Sequence, residues 1–103
     1  MKELMIGVRF ADPAIKVGHY KKELTEGLSH ADLNLRARHH TRIEVLFTTD
    51  ESIMLRLHIP DELYDGYNIG NRLRGVSRYL LENYSYEFKP HRVGTRLLQF
   101  WRM

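Results

Sequence analysis

Ile53, Leu55, Leu57 and Ile59 alternate with Met54, Arg56 and His58. In a helix these four large apolar side chains would spread around the axis. In a strand they line one face, so the run predicts a strand with a single buried side. Such a face needs a covering layer, which the rest of the chain must supply. A second alternation places Leu4, Ile6, Val8 and Phe10 opposite Met5, Gly7 and Arg9. Asp12-Pro13 ends it, because proline has no amide proton to give a ladder. Ile43, Val45 and Phe47 alternate with Arg42, Glu44 and Leu46, and the polar Thr49-Asp50-Glu51-Ser52 has the length of a hairpin turn. Leu33, Leu35 and Ala37 alternate with Asn34, Arg36 and Arg38, which predicts a further strand over 32–38, closed by a tight connection at His39-His40-Thr41.

Elsewhere the period changes. From Ile15 onward, Val17, Tyr20, Leu24 and Leu28 recur at three and four residues and predict a first helix. Ile69, Leu73, Val76, Leu80 and Tyr84 form a second stripe, which predicts a helix from an Asn68 N-cap to about Asn83. Tyr84, Tyr86 and Phe88 then alternate, Pro90 to Gly94 reads as a turn, and 95–102 alternates again. There Leu98 and Phe100 take one face, and Leu97, Gln99 and Trp101 the other. The expected order is β-α-βββ-α-ββ, an α+β fold with a small curled, mostly antiparallel sheet or pseudobarrel and two covering helices. A PUA-like pseudobarrel is compatible with that order. A flatter split βαβ sheet is the alternative if 32–38 is loop.

At 103 residues, 43% of them apolar and 28% charged, the chain fits one globular domain and not a disordered one. With no cysteine it offers no disulfide, thiolate ligand or thiol nucleophile. No run reaches the ~18–20 apolar residues of a membrane helix, and Arg9 interrupts the apolar start too early for a signal peptide. A soluble, cytoplasmic protein with no membrane partner is expected.

The charge is uneven. Residues 1–65 carry nine Lys and Arg against eleven Asp and Glu, and residues 66–103 carry seven against two. Six of those seven cations are arginines: Arg72, Arg74, Arg78, Arg92, Arg96 and Arg102. Arginine's planar fork grips phosphate oxygens in pairs and stacks on bases, which lysine does not do. Arg74 and Arg78 are four apart and off the apolar stripe, a repulsive pair for which a polyanion partner supplies a reason. Arg36 and Arg38 would add a second basic stripe, followed by His39 and His40 and set near Arg42 and Arg56 if the expected strands pair. Aromatic residues, Tyr79, Tyr84, Tyr86, Phe88 and Trp101, interleave with the cations. Tyr84 and Phe88 fit the core by pattern; Trp101, opposite in phase to Phe100, is the candidate base-stacking residue.

Other chemistry finds little support. His39 and His40 are adjacent, no H-x-H or HExxH spacing occurs, and no metal or other cofactor is expected. Phosphate-cradling glycine loops and nucleophile elbows are absent. Ser77, alone inside a helix, reads as filler. His91, Arg92, Arg96 and Tyr86 would suffice for metal-independent RNA cleavage, which needs only a base, an acid and cations. Over seven residues, Arg92-Val93-Gly94-Thr95-Arg96-Leu97-Leu98 loosely resembles the strand turn of RelE-type ribonuclease toxins. That family's order of elements differs from the one expected here.

The expected function is therefore a small non-enzymatic RNA-binding module, regulatory in role. Arg36, Arg38, Arg74, Arg78, Arg92 and Arg96 would hold phosphates, and Trp101 would stack a base. RNA is expected ahead of DNA, since no helix-turn-helix pattern is recognisable. The alternative is a protein-interaction or homodimerising module that uses the acidic stretch from Asp50 to Asp65 against the basic C-terminal third. A metal-independent ribonuclease is the lesser alternative.

Overall fold

In a computed structural model four of the alternating runs assemble into one sheet. The structure describes residues 1–64, 66–84 and 96–102, and the backbone alone for Leu63 and 66–72. Strand β1 (Lys2–Phe10) leads through a 3-10 turn at Val17–Tyr20 into helix α1 (Lys21–His39). Strands β2 (Arg42–Thr48) and β3 (Ile53–Ile59) form the hairpin expected around residues 49–52. Helix α2 (Gly66–Asn83) and strand β4 (Leu98–Arg102) follow a second 3-10 turn at Asp61–Leu63.

The strand order is β2-β3-β1-β4, and every neighbouring pair is antiparallel. β3 thus sits between β1 and β2, the split βαβ arrangement also called ferredoxin-like. Both helices cover one face. Ile6, Val8, Phe10, Ile43, Leu55, Leu57 and Leu98 of the sheet share a buried cluster with Leu24, Leu28 and Leu35 of α1 and Leu73, Val76 and Leu80 of α2. The helices approach closely at Gly27, where an added methyl would press on the Leu80 side chain.

The α+β class with two covering helices holds, and three details change. First, 32–38 is helix. The stripe of Leu24 and Leu28 continues through Ala31 to Leu35, and Asp32 pairs with Arg36 one turn on at 2.9 Å. Leucine, alanine and arginine are strong helix formers, so the short alternation was incidental; Leu33 is left 66% exposed. Helix α1 closes where His40 takes a left-handed conformation (φ 52°) and the Thr41 amide donates to the Leu35 carbonyl at 3.2 Å.

Second, the described sheet has four strands and stays open, with β2 and β4 at its edges. The strand expected around Tyr86 and Phe88 lies outside the described residues. Third, β2 carries a bulge between Val45 and Phe47. One extra residue reverses the side-chain phase. Val45 pairs with Leu55 on the helix-covered face, whereas Phe47 pairs with Met54 on the open face.

Candidate nucleic-acid interface

Helix α2 turns Leu73, Val76 and Ser77 inward, which leaves Arg74 and Arg78 exposed one turn apart. Across from them Arg96 precedes β4. The register there is held by the buried Ser77 hydroxyl, which accepts the Leu98 amide proton at 3.1 Å. Arg74, Arg78 and Arg96 consequently line one groove of about 380 Å³, together with Ser77, Leu81 and Glu82. Among the described residues of that lining, three permanent cations face one carboxylate, Glu82. Among the described residues Arg78 and Arg96 form no ion pair. A second, contiguous hollow of about 190 Å³ is also lined by Arg74 and Arg96 and reaches Gln99 and Phe100 on β4.

The helix location of 32–38 separates the two other arginines. Arg36 turns to the β2 side of α1, where Asp32 holds it and also accepts the Ile43 amide proton at 2.7 Å. It does not join Arg42 and Arg56 on a sheet face. Arg38 is exposed on the row of His30 and Asn34, which line a smaller cleft between the helices opposite Arg78. Arg92 lies outside the described residues, as do His91 and Tyr86 of the grouping considered for RNA cleavage. Tyr79 and Tyr84 are engaged in packing: His30 stacks on Tyr79 at 4.2 Å, and Tyr84 meets Tyr79 edge-on and donates its hydroxyl proton to Glu26. That hydrogen bond, then burial and the Glu26 charge, push the Tyr84 pKa up from 10.0 to about 12.

Trp101 stands on the open face of the sheet. It pairs with Gly7 of β1, and its indole lies so close over Gly7 that a methyl there would collide with the ring. Arg9, the next outward residue of β1, sets its guanidinium 5.3 Å from the indole centre and donates to the Gln99 side chain at 2.8 Å. Gly7 pairs in turn with Met54, and Met54 with Phe47. Phe47, Met54, Gly7 and Trp101 therefore form one row across all four strands, with Phe47 55% exposed. Further along the face polar side chains contact one another. Arg56 bonds Glu44 at 3.2 Å, and His58 lies within reach of both Glu3 and Glu44.

Reasoning from sequence missed Gly7, Arg9, Phe47 and Ser77. The available signal was Gly7 and Arg9 standing in the outward phase of a clean alternation; nothing local marks the bulge that brings Phe47 to their face. Of the acidic stretch 50–65, Asp50 and Glu51 precede β3 and Asp61 and Glu62 follow it. Glu51 at one end pairs with Lys16 at 2.7 Å, and Asp61 at the other with the N-terminal amine at 3.3 Å. Among the described residues no group of three His, Asp or Glu is placed to hold a metal, and no helix is long and apolar enough to cross a membrane. Comparison with protein-family models, curated proteins and solved structures finds no match.

Proposed function

We propose that this chain is a small RNA-binding module that takes single-stranded segments and carries out no catalytic step of its own. The observation that supports this is that Arg96, far along the chain, joins Arg74 and Arg78 on one groove in whose described lining Glu82 is the one carboxylate. Exposed like charges destabilise a fold unless an anion neutralises them, and planar guanidinium groups match phosphate oxygens. The chain's net charge of +3 favours the same class of partner.

The experiment is a fluorescence-anisotropy titration of a labelled single-stranded RNA 8-mer at several salt concentrations. Each phosphate contact on a single strand contributes about −0.7 to the log–log salt slope, so three arginines give a slope of about −2. The double variant R74E/R78E is expected to lose roughly tenfold or more in affinity and to flatten the slope to about −0.7, with its melting temperature held. Unchanged affinity in that variant refutes the assignment.

A further inference from the structure

We propose that the sheet face opposite the two described helices is the base-stacking floor for the RNA strand whose phosphates occupy the arginine groove. It has one stacking position at Trp101 with Arg9 and a second at Phe47. The proposal rests on the RNA-binding function above and adds where the bases go.

The two surfaces are joined. Arg74 and Arg96 line both the groove beside α2 and the hollow over β4, and that hollow reaches Gln99. The Gln99 side-chain oxygen accepts from Arg9, whose guanidinium lies against the Trp101 ring. A strand leaving the groove thus crosses β4 onto an aromatic ring flanked by a cation. Unpaired bases stack on such rings and on guanidinium planes. The row continues over Met54 to Phe47, three strand spacings away, or roughly 14 Å. Arg9's partner among the described residues is a neutral amide, so its charge stays available. Glu3, Glu44 and the Arg56–Glu44 ion pair bound the row on one side and give a polyanion no net attraction there.

The chain has one tryptophan, so its intrinsic emission reports Trp101 alone. The test titrates the full chain with unlabelled single-stranded oligoadenylate 8-mer and, separately, with tripolyphosphate, which fills the groove but has no base. The 8-mer is expected to quench Trp101 emission saturably, and tripolyphosphate to leave it unchanged. Phe47→Ala removes a largely exposed ring and is checked for folding by circular dichroism. It is expected to lower 8-mer affinity by roughly 5- to 150-fold with the salt slope unaltered, since stacking is not a counterion effect. If the 8-mer binds and R74E/R78E abolishes binding, yet emission and the Phe47→Ala affinity are unchanged, the floor is refuted and the groove stands. If the wild-type chain binds no 8-mer, both proposals fall. If Phe47→Ala changes the elution volume of the RNA-free chain and not its RNA affinity, the edge at β2 is a self-association surface and the floor is refuted.

Discussion

Replacing Gly7 by alanine tests the geometry on which the sheet face depends. The indole of Trp101 occupies the space a Cβ would need, so Gly7→Ala must drive the ring off the sheet. Glycine weakens a strand, and a cross-strand aromatic that covers it restores packing; Trp101 serves Gly7 in that way. Trp101 is half-buried, so its release forfeits about half of a large side chain's burial, roughly 1 kcal/mol. The cross-strand contact and the interaction with Arg9 add roughly 0.5–1 kcal/mol each. Alanine is better than glycine in a strand by about 0.5–1 kcal/mol, which offsets part of the loss. The net cost is about 1–2.5 kcal/mol. At ~2.1 cal/mol/K of unfolding entropy per residue, a chain of 103 residues then melts roughly 5–12 °C lower. The assay is thermal denaturation followed by circular dichroism, with Trp101 emission read on the folded protein, where a red shift marks the expelled ring. The control is the same substitution in a Trp101→Ala background. With no ring to displace, Gly7→Ala there is neutral or stabilising by up to about 1 kcal/mol, so the cycle returns a coupling of about 2–3 kcal/mol. An equal cost in both backgrounds, or a Gly7→Ala protein with native melting and emission, refutes the placement of the ring.

Two further outcomes follow from single contacts. Ser77→Ala leaves the buried Leu98 amide without its acceptor, at a cost of about 1–3 kcal/mol, and lowers the melting temperature by roughly 5–14 °C. Amide exchange at Leu98 should quicken in the same variant, and native melting would sink the contact. Tyr84 keeps its proton in the folded state up to about pH 12, against 10.0 ordinarily, because it donates to Glu26. Between those values the folded chain binds a proton that the unfolded chain has lost, so this contribution to stability is intact below pH 10 and fades toward pH 12. Denaturation across that range should show a shallower alkaline decline in Tyr84→Phe than in the wild type; equal slopes refute the pairing.

How far the fold was legible follows from the range of the forces that set each element. β1, β3, the inward stripe of α2 and the hairpin turn are written in local periodicity, because one buried face imposes its period on the sequence. In the segment 32–38 two periods competed. Leu33, Leu35 and Ala37 alternate, yet Leu28, Ala31 and Leu35 already continue a helical stripe, and the longer pattern carries more burial. The bulge in β2 left no local mark, since Phe47 and Val45 are both apolar and only pairing with Met54 and Leu55 separates their faces. Of the site, the cations of α2 could be read from spacing. Their meeting with Arg96 depends on β4 packing beside α2, a contact across some twenty residues that no window of sequence displays.

The same topology explains why a chain of modest net charge presents a concentrated basic edge. Sequence order puts α2 and β4 together in the basic part of the chain, and sheet order puts β4 at an edge, next to β1. Arg74, Arg78 and Arg96 are thereby drawn to one side of the described sheet, while β3, with acidic residues beyond each end, is held inside the sheet. Glu51 and Asp61 are each taken up by a local amine at opposite ends of β3, so among the described residues the two do not join in one acidic patch. Among the described residues Arg78 and Arg96 form no ion pair, and Glu82 is the one carboxylate in the described lining of their groove. For the proposed RNA partner, this arrangement would set phosphates along the groove and bases toward Trp101 and Phe47 on the adjoining face.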